Sequence, residues 1–299
     1  MGIATRARGP SGPPHPGLTP LGVRPSLWAY LRSIWQRRDF AIAIAGGELR
    51  GQNMDTVLGN LWHILNPLLL AGVYYLMFGV ILRGLLDRGV ENFAAFIVIG
   101  VFAYHYSQKT VMGGAKAISD NEGLIRSIRF PRALLPLSVV LGQAFAFMPA
   151  VAVMLVITVV TGVTFGTGDF PHAGWLLVVP ILLAQTLFNI GAAFVVARVG
   201  DSVRDVQHFL PYVFRLLFYL SGVLYPVTRF VAEDSPVRWL FDLNPFYVWV
   251  SLIRGPLLND PLFPTLDVRL AVIGAVWAVV LLVAGFLYFR AGEAQYGRG

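Results

Sequence analysis

The residue types that carry chemistry are present in this chain at spacings that support little of it. A nucleotide-binding P-loop needs G-x-x-x-x-G-K-[ST]. The one Lys-Thr pair, Lys109-Thr110, has Gln108 where the second glycine belongs and Ala103 where the first does. No H-E-x-x-H occurs, and no G-x-G-x-x-G follows a strand pattern. The histidines His15, His63, His105, His172 and His208 keep no ligand spacing; His63 and His105, near the ends of apolar stretches, read as membrane-interface residues. Asp201 and Asp205 stand at i and i+4, where two carboxylates could serve a metal or a base. The alternative is a pair balanced by Arg198 and Arg204 at a helix junction. With no cysteine there is no disulfide, thiolate ligand or thiol nucleophile. No catalytic constellation, cofactor site or metal site remains.

The carboxylates are informative by position. All sixteen Asp and Glu fall in loops or tails, outside the long apolar stretches. Carriers driven by protons or sodium usually keep an ionisable group inside the membrane to hold the coupling ion. No Asp or Glu offers one here, so the energy source points to a partner. The 299 residues are 56% hydrophobic and 13% charged, with mean hydropathy +0.66. Soluble domains carry about 25% charged residues, so this is an integral membrane protein. The formal charge of +7 comes almost wholly from Arg, Lys109 and Lys116 being the only lysines. Its placement beside apolar spans suits lipid headgroups rather than nucleic acid.

A spanning helix needs about 20 apolar residues. Six such stretches occur, near 58–82, 93–112, 134–163, 174–197, 208–227 and 268–289, the third overlong and carrying Pro136 and Pro149. Counting Lys and Arg by loop places fifteen on the side of both termini and five opposite, which puts the termini in the cytoplasm. Residues 1–25 are rich in Pro and Gly and read as a disordered cytoplasmic tail; 291–299 form a second tail. Between them lie an interface helix with linker over 26–57 and the six-span domain over 58–290. Ser26 to Arg38 is amphipathic: Leu27, Trp28, Leu31, Ile34 and Trp35 make one stripe, beside Arg32, Arg37 and Arg38. It lies on the membrane surface or packs on a partner. Residues 237–258 are apolar enough for a seventh span. Asp242, Arg254, the Asn244-Pro245 break and Pro256 favour two short helices re-entering from outside.

Two local features remain. Ser119-Asp120-Asn121-Glu122 has the form of a capping box, with Ser119 as N-cap and Glu122 at N3. It opens a short helix with Leu124, Ile125 and Ile128, and with Arg126, Arg129 and Arg132 facing outward. Such a helix docks into a groove of another protein, or lies on lipid. In the fifth span His208, Tyr212, Arg215 and Tyr219 share one face at i, i+4, i+7 and i+11. That face can let a sugar chain slide, or it packs the bundle with Arg215 on a backbone carbonyl.

The stretches LGNLWHILNPLLLAGVYYLMFGVIL (58–82), GLIRSIRFPRALLPLS (123–138), VRDVQHFLPYVFRLLFYLSGVLYP (203–226) and LNPFYVWV (243–250) resemble the permease subunit of ABC-2-type polysaccharide exporters, the O-antigen and teichoic-acid export systems. The similarity runs in order from about residue 30 to 290. It implies a homodimer of all-α, six-span subunits in the cytoplasmic membrane, each docked to a separate ATPase that binds ATP and Mg. By this resemblance Ser119–Arg132 contains the coupling helix, Asp201–Asp205 the second ATPase contact and Ser26–Arg38 the interface helix. Tyr74, Tyr75, Tyr212, Arg215, Phe218 and Tyr219 would line the pathway between protomers. Asn244, Pro245, Phe246 and Tyr247 would belong to outer gate helices. The implied cargo is a polyprenyl-diphosphate-linked polysaccharide. The Arg-rich, Lys-poor usage fits an actinobacterial exporter of a lipid-linked galactan. The family often has Ser-Pro where this chain has Ser221-Gly222, which alters the outer end of the fifth span. The alternatives are an ABC-2 exporter of a drug or small lipid, and a membrane enzyme acting on polyprenyl phosphates.

Overall fold

The computed structural model describes residues 26–51, 56–81, 89–232, 235–293 and 295–296; the tail expected over 1–25 and the loop arginines Arg83 and Arg88 lie outside them. Every regular element among the described residues is helical. In chain order these are α1 (Leu27–Gln36), α2 (Arg38–Gly51), α3 (Trp62–Tyr74, continued by a π-helical segment Tyr75–Ile81), α4 (Phe93–Lys116), α5 (Glu122–Ser127), α6 (Leu134–Phe165), α7 (Val178–Ser202), α8 (Asp205–Leu220), α9 (Val227–Phe230), α10 (Arg238–Asp242), α11 (Pro245–Leu257) and α12 (Val268–Gly292). Three are long and apolar enough to cross a membrane: α6, α7 with the tight turn that leads into it from Ala173, and α12.

The centre of the bundle is α4, with α3, α6, α7, α8 and α11 around it. A helix that is apolar on every side has to be covered on every side, and α4 is buried along nearly its whole length. Its far end is fixed by polar contacts that an apolar end would lack. Asn92 caps it by accepting from the Ala95 N–H at 3.1 Å, and the Asn92 amide donates to Asp169 at 2.7 Å and Thr161 at 3.0 Å. Asp169 also accepts from the Asn259 N–H at 2.6 Å, joining the end of α6 to the chain after α11.

On the other flank α7 and α12 touch backbone to backbone. A Cβ added at Gly285 would stand 2.3 Å from the Gly191 carbonyl oxygen. Apolar helices in lipid gain little from excluding water between them, so small residues that let backbones approach supply the contact. The ends of α4, α6, α7 and α12 near the chain termini close over a second cluster that includes Tyr30, Ile118, Phe194, Phe289 and Tyr296. This is called the terminal end below, and the end bearing α9–α11 the far end.

Two boundaries differ from the sequence expectation. Residues 38–51 form α2, packed along α6, where a linker was expected; Ala41 and Ala45 are its buried side. The fifth apolar stretch ends as a helix at Leu220 rather than continuing to 227, because the backbone reverses at Gly222 with φ of +59°. Proline holds φ near −65° and could not make that turn.

Candidate functional site

Three groups of residues carry the functional expectations, and the terminal end holds the first. The capping box over Ser119–Glu122 is not formed. Residues 119–121 make a tight turn running straight into α5, so no extended residue is placed to cap it. Ser119 Oγ donates to the Lys116 carbonyl at 3.0 Å and accepts from the Gln207 amide at 3.2 Å. Glu122 is held by two guanidinium groups, Arg204 at 2.9 Å and Arg126 at 3.3 Å. The Gln207 amide also donates to the Ala115 carbonyl at 3.2 Å. The short helix is therefore tied directly to the first turn of α8, a link that the linear sequence hides.

Leu124 and Ile125 pack inward on the terminal cluster, while Ile128 is 45% exposed. Arg126 and Arg129 are exposed. Arg132, expected to face outward, instead turns back: its guanidinium donates to the Glu293 carbonyl and its backbone N–H to Glu293 Oε1 at 2.9 Å. Asp201 and Asp205 bracket the α7–α8 junction. Of the arginines expected to balance them, Arg204 pairs with Glu122 and also acts on Asp201, as Arg132 does, while Arg198 lies over the Tyr288 ring at 4.1 Å. Asp205 sits in the first turn of α8, where the helix dipole favours a carboxylate.

The interface helix is α1, capped by Ser26, whose hydroxyl accepts from the Ala29 N–H at 3.3 Å. Trp28 is 81% and Trp35 69% exposed, and Leu31 is partly exposed beside them. Ile34 packs on the terminal cluster, so the apolar stripe is half surface and half seam. Arg37 donates to the Arg129 carbonyl at 2.6 Å, and Arg38 lies over the Trp35 ring at 5.1 Å. On the opposite side Tyr30 is buried and donates to Glu293 Oε1 at 2.7 Å. Burial, with the Glu293 charge beside it, pushes the Tyr30 hydroxyl well above its usual pKa. Glu293 thus joins α1, the end of α12 and the chain after α5, a role its place in an expected tail gave no sign of.

The second group is the aromatic face of α8. His208, Tyr212, Arg215 and Tyr219 all lie exposed along one side, with Tyr212 at 67% and Tyr219 at 50%. Phe218 does not join them. It is one residue off the stripe, points to the core and stacks on Tyr74 at 5.2 Å. Tyr74 and Tyr75 are half-buried. His105, expected at a span end, lies midway along α4 with its ring 6.1 Å from that of Phe218; the side chain of His63 falls outside the described residues.

The third group is the far-end hairpin. The chain breaks at Asn244-Pro245 into α10 and α11, of 5 and 13 residues, both too short to cross a bilayer. Asn244 caps α11 by accepting from the Phe246 N–H at 3.0 Å, and its amide donates to Ser221 Oγ at 3.1 Å. Phe246 and Tyr247 are buried, Phe246 against the rings of Tyr104, Phe188 and Phe214. Between α8 and α10 lies an apolar cavity of about 420 Å³ lined by Leu217, Leu220, Trp239, Leu240 and Phe246. Asp242, also buried, is clamped by Arg238 at 3.0 Å and Arg269 at 2.8 Å.

Arg254, named above only as a charge within residues 237–258, is the most buried charge of the hairpin, at 1% exposure. It donates to the carbonyls of Gly222 at 2.8 Å, Val223 at 2.7 Å and Phe96 at 3.0 Å, and lies 3.4 Å over the Phe96 ring. One side chain therefore fastens α11 to the α8–α9 turn and to α4. Spacing gave no signal for it; a charge inside an apolar run ending in Pro256 was the only hint.

Every regular element among the described residues is helical, and three helices are long and apolar enough to cross a membrane, the build of an integral membrane protein. Residues 42–258 match the ABC-2 type transporter family, and the chain belongs to it. It is 30% identical over 268 residues to the O-antigen export system permease protein RfbA of Myxococcus xanthus, covering 89% of this chain and 97% of that protein. A Klebsiella pneumoniae protein of the same name is 25% identical over 253 residues, covering 84% of this chain and 91% of the relative.

Proposed function

We propose that this chain is the transmembrane permease subunit of an exporter that moves a lipid-linked polysaccharide across the cytoplasmic membrane, driven by ATP hydrolysis in a separate subunit. The observation that carries it is the uncovered row His208, Tyr212, Arg215 and Tyr219 on α8, a helix that buries only Phe214 and Phe218 against the bundle and also leaves Phe209 and Leu216 exposed. A lone guanidinium on such a helix belongs beside water or a polar cargo. Aromatic rings with hydroxyls offer apolar faces and exchangeable hydrogen bonds to sugars. In this reading two copies meet across α3 and α8, and the pathway runs between them. The six spans are α3, α4, α6, α7, α8 and α12, the termini are cytoplasmic, and α9–α11 re-enter from the outer side as a gate. The permease names of the relatives support a polysaccharide cargo; an O-antigen-type chain and a cell-wall galactan both fit the face.

Two ATPase copies, which bind the ATP and Mg, dock on α5, the α7–α8 junction and α1. The contacts Glu122–Arg204 and Ser119–Gln207 then carry their stroke to the pathway helix. One observation favours a second reading: the apolar cavity under α10 suits a drug or small lipid as cargo. Tagging the protein, extracting it in mild detergent and identifying stoichiometric partners by mass spectrometry tests the proposal. A Walker-motif ATPase at one to one is expected. A lone oligomer with no nucleotide-binding partner would overturn it and reopen a membrane enzyme acting on polyprenyl phosphates.

A further inference from the structure

Away from the aromatic face, α4 presents polar side chains to the flank where it meets α3 and α6. His105 and Lys109 are one turn apart, and with Gln143 of α6, Pro67 of α3 and Phe147 they line a cavity of about 30 Å³, room for one water-sized group. The Nδ1 of His105 is bonded to Gln108 Oε1 at 2.7 Å, while its Nε2 is buried with no partner. Lys109 reaches the surface of the chain and makes no ion pair among the described residues. On α6 the cavity wall is Gln143, Ala146, Phe147 and Ala150, one face of the helix at i, i+3, i+4 and i+7.

An ammonium on an apolar flank needs a counter-charge, and no described side chain supplies one there. Depth decides what can. Lys109 lies seven residues before Lys116 at the terminal end of α4, about 10 Å at 1.5 Å per residue. Gly142, next to Gln143, faces Ala45 of α2, the helix that follows amphipathic α1, at 3.7 Å. That places Lys109 within a lysine stem's reach of the lipid headgroups on the side of the termini, with His105 one turn deeper. The compact ammonium suits a phosphate as a point charge, and the Gln143 amide is a second donor. Nε2 of His105 is a third when the Gln108 amide turns to donate to Nδ1.

We propose that the α3–α4–α6 flank is a binding site for the phosphate of a membrane lipid, held by Lys109 and Gln143 with one oxygen entering toward His105. The site needs no partner ATPase. The phosphate can come from a bilayer glycerophospholipid or from a polyprenyl diphosphate. Native mass spectrometry of the delipidated, full-length protein, titrated with phosphatidylglycerol, diacylglycerol or a polyprenyl diphosphate, tests it. Wild type should retain phosphatidylglycerol and release diacylglycerol. Lys109→Gln should raise the half-saturating phosphatidylglycerol concentration about tenfold, the worth of one charge-assisted hydrogen bond, and Lys109→Arg should leave it nearly unchanged. Gln143→Leu gives an independent reading of the same site should Lys109→Gln fold poorly. Displacement of phosphatidylglycerol by equimolar polyprenyl diphosphate identifies the carrier lipid as the source, and retention identifies the bilayer lipid. Equal retention of phosphatidylglycerol by wild type, Lys109→Gln and Gln143→Leu would overturn the proposal.

Discussion

Replacing Arg254 by methionine keeps an unbranched apolar stem and removes the guanidinium, which isolates the fastening of the far-end hairpin. Of its three acceptors, Phe96 O lies in the first turn of α4 and keeps a helical N–H four residues on. The carbonyls of Gly222 and Val223 lie in the turn after α8 and lose their donor. Each buried carbonyl left unpaired costs about 1–3 kcal/mol, so the change should destabilise by about 4 kcal/mol. Relief of the buried charge opposes this by an amount of the same order, so about 4 kcal/mol is the upper bound of the loss. At roughly 2–4 °C per kcal/mol for a domain of this size, melting should fall by at most about 10 °C. Tryptophan-fluorescence melting in detergent reads it. Arg254→Lys should lie between, since one ammonium cannot reach both turn carbonyls and the Phe96 ring. Co-purification of the ATPase should be unaffected, because α5 sits at the other end of the bundle. If Arg254→Met melts within about 2 °C of wild type, the carbonyls find other partners and the latch argument fails.

The other predictions follow from the same contacts. Ile128→Asp should weaken ATPase co-purification by about tenfold or more, the scale of one apolar side chain withdrawn from an interface, without reducing membrane insertion. Ile128 is the better target than Ile125, which is packed inward; unchanged capture would sink the assignment of α5 as the docking helix. Replacing Tyr212 and Tyr219 together by Leu should slow export about tenfold at equal abundance, from about 0.5–1.5 kcal/mol per ring. Full transport by that variant would return the face to plain packing. Gly285→Ala drives a methyl to 2.3 Å from the Gly191 carbonyl and should destabilise by about 2 kcal/mol. Gly46→Ala, with nothing within 4 Å, should be neutral or stabilising, and equal melting of the two would refute the close α7–α12 contact.

Much of the fold was legible because lipid imposes simple constraints. Apolar runs of spanning length, the Asn244-Pro245 break and the amphipathic stripe from Leu27 to Trp35 follow directly from hydropathy and proline chemistry, and each appears as helix or break in the structure. What was illegible depends on tertiary contact. Arg254 reads as a loop cation in one dimension and becomes the pin of the hairpin only because two turn carbonyls and Phe96 O converge on it. Phe218 sits one position from the stripe of α8, and a shift of about 100° puts it in the core. The Ser119–Glu122 pattern satisfies the capping-box rule, but Arg204 and Gln207, 82 and 88 residues away, outcompete the local bonds. Glu293 looked like a tail residue because nothing local marks it; its partners Tyr30 and Arg132 are 263 and 161 positions distant.

The central claim, export of a lipid-linked glycan on ATP hydrolysed by a partner, is tested most directly by reconstitution. The permease and its co-purifying ATPase, placed in vesicles, would be supplied with polyprenyl-diphosphate-linked glycan, with and without ATP. The account predicts that the glycan stimulates ATP hydrolysis and crosses the membrane only when ATP is present, and that a small hydrophobic drug does neither. Hydrolysis indifferent to the glycan, with no ATP-dependent movement of it, would contradict the account.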